Sequence, residues 1–150
     1  MKSVEFTLNG ELTQVAVRDD ESLLDTLRER LNVISPKDGC QPQGQCGCCI
    51  ALVDGKPKTT CVWKTERTAG KDVLTLEGIS PEERDLFARS FVAAGGLQCG
   101  FCTPGIVMRA KYLLQRNPNP TRLEIAKAID GNLCRCTGYV RIIDAIEWMA

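Results

Sequence analysis

Nine cysteines and no histidine are distributed through this chain in tight groups. GCQPQGQCGCC holds Cys40, Cys46, Cys48 and Cys49, and Cys61 follows at a distance; QCGFCTPG supplies Cys99 and Cys102, and LCRCTGY supplies Cys134 and Cys136. Cysteines one or two residues apart do not readily bridge each other within regular structure, but they can aim two thiolates at one centre. Four thiolates without histidine leave tetrahedral zinc or an iron–sulfur cluster as the usual choices. A Rieske centre is excluded because it needs histidine. The odd count also speaks against a fully disulfide-bonded monomer, and nothing at the start of the chain reads as an export signal.

In the first group Gly39, Gly44 and Gly47 lie among the thiols. Glycines let a loop wrap closely, with N–H groups turned toward bridging sulfides. Such donors stabilise the negative charge of a cluster and raise its potential. A dense loop with one distant cysteine suits a plant-type [2Fe–2S] site. Five cysteines compete for four positions there; the set taken is Cys40, Cys46, Cys49 and Cys61, with Cys48 left out. The second group is Cys99, Cys102, Cys134 and Cys136, which would join two helix-end loops at one metal centre. A structural zinc site has similar spacing, since CxxC is generic.

These groups need elements to position them. Val4, Phe6 and Leu8 alternate before the Asn9-Gly10 turn signal, and Leu12, Val15 and Val17 follow less regularly, so residues 3–17 read as a hairpin. Leu23, Leu24, Leu27 and Leu31 share one helical face, with Asp20 as the N-cap expected. A second hairpin is expected around Asp54-Gly55, and VLTLEG at 73–78 reads as a last strand. From Ser80 the period becomes helical: SPEE gives a cap, Leu86, Phe87, Ser90 and Phe91 point inward, and a helix follows Thr103-Pro104. Thr121 with Glu124 caps a third helix. Tyr139–Met149 reads as a fourth, with Ile142, Ile143, Ile146 and Trp148 apolar. The fold expected is α+β, a small sheet domain at 1–78 followed by a helical bundle at 79–150.

Other classes fit poorly. Nineteen basic and nineteen acidic side chains balance, with no basic block of the nucleic-acid type. No apolar stretch reaches the roughly 18 residues of a membrane span, and a cytoplasmic location is expected. The commonest general base is absent, and Glu82, Glu83 and Asp85 suit helix capping and surface better than catalysis. Two centres without a catalytic group describe a chain that carries electrons for a reaction performed elsewhere. A stand-alone two-cluster ferredoxin and a zinc-bound interaction module are the alternatives.

The run of LLDTLRERL, GC…GQCGCC, LVDG…Cys61, SPEE, QCGFCTPG and LCRCTGY resembles the small iron–sulfur subunit of the molybdenum hydroxylases, the xanthine dehydrogenase, aldehyde oxidase and aerobic carbon monoxide dehydrogenase family. The resemblance implies a β-grasp, plant-ferredoxin-like domain with Cys40, Cys46, Cys49 and Cys61 as ligands. It implies a four-helix domain with Cys99, Cys102, Cys134 and Cys136 as ligands, and Gln98 in contact with a pterin. The partners implied are a large molybdopterin–molybdenum subunit and a medium FAD-binding subunit. Electrons would leave molybdenum singly through the helical-domain cluster, then the ferredoxin-like cluster, to FAD or an external acceptor. One departure stands out: QPQGQ, between Cys40 and Cys46, is one residue longer than the usual family loop. The loop either bulges by one residue or shifts its register so that Cys48 replaces Cys49. The usual spacing from Cys49 to Cys61 favours Cys49. Trp63, Lys64 and Arg67 face either a flavin subunit or solvent on this reading. Phe101 and Tyr139 are expected to shield the second ligand set.

Overall fold

In the computed structural model, which describes residues 1–150, both two-residue turns read from the sequence form. Asn9 and Gly10 take φ of 52° and 88°, and Asp54 and Gly55 take 49° and 71°. Two consecutive positive φ values define the turn whose twist matches paired strands. The first joins β1 (Lys2–Leu8) to β2 (Glu11–Val17), and the second joins β3 (Ile50–Val53) to β4 (Lys56–Thr59). Between the hairpins lies β5 (Asp72–Leu74), parallel to β1 and antiparallel to β3, giving the order β2-β1-β5-β3-β4.

The leucine-rich helix is shorter and less regular than its periodicity suggests. α1 (Leu23–Asp25) passes directly into a π-helical turn, Thr26–Arg30. Its cap is Ser22, whose hydroxyl accepts from Asp25 N–H at 3.1 Å, and not Asp20. Asp20 instead has a φ of 62° and pairs its carboxylate with Lys64. Leu23 and Leu27 close the core under the sheet with Val4, Phe6, Leu8 and Val73.

VLTLEG also ends early as a strand. Thr75 donates its N–H to the Asn9 side-chain oxygen at 2.8 Å, so the strand ladder stops and the chain turns through a 3-10 segment, Leu76–Gly78. The helices then follow: α2 (Pro81–Ala94), α3 (Thr103–Arg116), α4 (Arg122–Ile129) and α5 (Val140–Trp148). Ser80 caps α2, and Thr121 with Glu124 forms a reciprocal capping box on α4, as the sequence signals. Phe87, Ser90 and Phe91 are buried as expected, while Leu86 is half-buried. Trp148 does not join the apolar face of α5; it is 54% exposed.

β3 has every residue buried. Its Ile50 and Leu52 belong to the helical core with Ile106, Met108 and Ile146, while Val53 belongs to the core under the sheet. A strand covered on both faces reads as a continuous apolar run, as IALV does. The packing of α3 on β3 carries the helical half onto the loop that precedes β3, which is the first cysteine group.

Candidate iron–sulfur centres

All nine cysteines are free thiols; eight of them form the pairs that follow, and the ninth, Cys48, also lies beside Cys46. Around the first loop, Cys40 lies beside Cys46 and Cys49 beside Cys61, with Cys61 also facing Cys40. In the helical half, Cys136 Sγ is 3.5 Å from Cys99 Sγ, and Cys102 is paired with Cys134. Each set thus brings four thiols together as two facing pairs. Two pairs facing each other are what a [2Fe–2S] cluster needs, one pair for each iron. The donor sets therefore fit two-iron clusters, with two thiols for each iron. Bound there, such clusters supply reversible one-electron transfer.

The loop backbone is arranged for anionic sulfur. Gln43 N–H donates to Cys40 Sγ at 3.2 Å. N–H groups of Gln45, Cys46 and Gln43 together pull the Cys40 thiol down to about 6. Gly44, at φ 69°, turns its N–H to Cys61. Burial, reinforced by the neighbouring Cys49, pushes Cys61 up to about 12 in the free-thiol state. In the second set the Phe101 N–H lowers Cys99. Cys102 is raised to about 12, first by burial and then by Cys134. Burial acts upward on Cys134, but the Thr137 hydroxyl at 3.1 Å and its N–H at 3.5 Å outweigh it and the thiol is lowered. Thr137 is not among the residues singled out from the sequence; a hydroxyl directly after CRC was the available signal.

The two sets differ in exposure. Cys46, Cys49 and Cys61 are buried, whereas Cys99 and Cys136 lie at the surface. Two exposed apolar side chains, Phe101 and Leu133, line the space at Cys99, Cys102 and Cys134, and Leu97 and Val140 are exposed two and four residues along the chain from Cys99 and Cys136. Phe101 is thus only partly a shield. Tyr139 acts differently: its hydroxyl accepts the Cys134 N–H at 2.9 Å and so orients the ligand loop. Its φ of 74° holds it just before α5, so the helix read from the sequence as Tyr139–Met149 begins one residue later, at Val140. Gln98 is exposed, and its amide donates to the Cys136 carbonyl at 3.1 Å.

The sets meet through backbone. Leu133 N–H, next to Cys134, donates to the Cys46 carbonyl at 2.8 Å. The Asn132 amide donates to the Gly47 carbonyl at 3.0 Å. A side chain on Gly47, whose φ is 72°, would come within 2.4 Å of the Gly131 carbonyl oxygen. One on Gly105 would come within 2.2 Å of the Gly47 carbonyl oxygen. The sequence marks Gly47 as a loop glycine but carries no local sign that Gly105 and Asn132 meet it. Either side of Cys61 in the chain, Lys58 and Arg67 lie over the Trp63 ring at 4.7 and 5.8 Å, so this surface is tied together within the chain.

A β-grasp sheet with one paired thiol set, joined backbone to backbone to a helical bundle with another, defines a two-centre iron–sulfur electron carrier. Residues 6–75 match the 2Fe-2S iron-sulfur cluster binding domain, and residues 75–147 match the [2Fe-2S] binding domain. The nicotinate dehydrogenase small FeS subunit of Eubacterium barkeri is 41% identical over 147 residues, covering 97% of this chain and 93% of that one. Quinoline 2-oxidoreductase from Pseudomonas putida 86 superposes with a TM-score of 0.92 at 40% identity, covering 97% of this chain and 90% of that one. Aldehyde oxidoreductase from Desulfovibrio desulfuricans gives a TM-score of 0.92 at 36% identity, over 98% of this chain and 17% of that longer one. The chain belongs to the small iron–sulfur subunits of the molybdenum hydroxylase family. It is the electron-transferring, non-catalytic subunit of a molybdenum-dependent oxidoreductase and carries two [2Fe–2S] clusters. The zinc-module and free-ferredoxin alternatives fall with that assignment.

Proposed function

We propose that electrons enter this subunit from a large molybdopterin–molybdenum subunit at the Cys99/Cys102/Cys134/Cys136 cluster and leave from the Cys40/Cys46/Cys49/Cys61 cluster. The acceptor proposed is a medium FAD-binding subunit. The observation that carries the direction is the exposure of Cys99 and Cys136 within an apolar rim. Electron transfer between subunits needs a cluster close to the surface, and an apolar border is what a stable partner would cover. Gln98 fits a pterin contact, because one amide N–H is engaged by Cys136 while its carbonyl oxygen has no partner within the chain. The division proposed is a ferredoxin-like unit at 1–78 and a helical unit at 79–150, and the location proposed is the cytoplasm. No helix is long and apolar enough to cross a membrane.

The test is EPR of the dithionite-reduced complex, with spin counted against chain. Two distinct signals totalling about two spins per chain, one for each cluster, are expected. Cys99→Ser should abolish one signal and Cys61→Ser the other. Substrate added to the oxidised complex should reduce the cluster that Cys99→Ser removes before the other. Reduction in the opposite order would overturn the direction. Absence of flavin from a complex that still turns over with an external acceptor would replace the FAD subunit by that acceptor.

A further inference from the structure

The ninth cysteine is absorbed by neither ligand set. Cys48 is 4% exposed and lies between the two sets. It lines a cavity of about 340 Å³ with Cys46 on one side and Cys99, Cys102 and Cys134 on the other. Its Cα would meet a side chain on Gly105 at 3.2 Å, so it is wedged between the cysteine loop and the first turn of α3. Its Sγ is 3.8 Å from the Cys46 carbonyl oxygen in donor geometry. That same oxygen accepts the Leu133 N–H at 2.8 Å. Cys46 belongs to one ligand set, and Leu133 is bonded to Cys134 of the other. The carbonyl is therefore a hydrogen-bonded bridge between the two centres, and Cys48 is a second donor onto it.

We infer that Cys48 is a positioning residue for electron transfer between the clusters: its S–H fixes and polarises the Cys46 carbonyl through which the two ligand sets are joined. The inference rests on the ligand sets proposed above. A donor on this carbonyl reduces the negative charge carried by the Cys46 peptide oxygen, and less negative charge beside the N-terminal cluster stabilises its reduced, more anionic form. An S–H is a weak donor, so the effect is small but has a definite sign.

The experiment compares Cys48→Ala and Cys48→Ser with the unaltered chain in the intact complex. A dithionite titration followed by EPR gives the ratio of the two reduced clusters at partial reduction. Both variants are expected to keep both signals. In Cys48→Ala the N-terminal cluster should lose ground, its reduced share relative to the C-terminal cluster falling by about twofold, the part of one weak hydrogen bond that differs between the oxidised and reduced states. Cys48→Ser keeps a donor of similar size and should hold the ratio at or above the original. An unchanged ratio in both variants would make Cys48 packing alone and overturn the inference. Loss of the N-terminal signal in both, with the C-terminal signal intact, would instead make Cys48 a ligand; the ligand set would then be wrong and the inference would go with it.

Discussion

Glu21 is the most tightly held carboxylate in the chain. Arg30 donates to both its oxygens at 2.5 and 2.7 Å, Arg18 gives its N–H and its Nε at 3.1 Å, and Thr26 its hydroxyl at 3.0 Å. The side chain is 2% exposed. The Arg30 guanidinium outweighs the cost of burial and, with the Arg18 N–H, lowers the acid from 4.5 to about 2. A folded-state value below the unfolded one means that the contribution is complete above about pH 4.5. It is lost as pH falls from there toward 2. The size is on the order of 3 kcal/mol. Glu21→Gln should flatten the acid limb of stability between those pH values. At neutral pH it should destabilise by roughly 2–4 kcal/mol, because Arg30 keeps a charge without its partner. Thermal bleaching of the cluster absorbance, measured against pH for both proteins, reads this difference. Parallel acid limbs would mean that Glu21 is not the group being titrated.

At the scale of elements, the junction that matters is α3 against the cysteine loop. Gly105 and Gly47 touch backbone to backbone, and the hydrogen-bonded link from Leu133 to Cys46 depends on that approach. Gly105→Ala is expected to force the two apart, at about 1–3 kcal/mol for overpacking. The measurable result is a lower melting temperature together with slower equilibration between the clusters, seen by freeze-quench EPR after substrate is added. A fall in melting temperature with unaltered equilibration would separate packing from electron transfer. This junction was not legible in the sequence. The turns at Asn9-Gly10 and Asp54-Gly55 and the caps at Ser80 and Thr121 were, because each is decided within about four residues. Asp20 misled, since an aspartate before a leucine-rich run resembles a cap, yet Ser22 lies closer and Lys64, distant in sequence, takes the Asp20 carboxylate. Trp148 misled because its spacing looks apolar, yet it falls on the solvent side of α5 while Ile146, two residues before it, is fully buried. The cysteine groups were legible through their spacing. Their pairing two by two, and the thiol between them, are products of tertiary packing.

For the whole molecule, the arrangement is polarised: one thiol set lies within the chain and the other opens at an apolar border. Leu97, Phe101, Leu133 and Val140 are between 43% and 59% exposed there. Each could be explained singly, since folded chains expose much apolar surface. Phe101 and Leu133 beside the cysteines, with Leu97 and Val140 close by in sequence, describe a face that a large subunit would cover. Val140 gives the cleanest test, because it is the first residue of α5 and its side chain points to solvent. A carboxylate at the start of a helix is favourable to the helix, so Val140→Asp should fold as well as the original. In an interface it would bury an unpaired charge, which costs several kcal/mol. The expected outcome is a subunit with both EPR signals at full strength whose association with the large subunit is weakened at least roughly tenfold, read by co-purification and analytical ultracentrifugation. Arg67→Glu, on the surface beyond Cys61, should leave that association unchanged. If Val140→Asp assembled normally and its clusters were reduced by substrate at the ordinary rate, the large subunit would have to dock elsewhere, and the direction of electron flow through the chain would need to be assigned again.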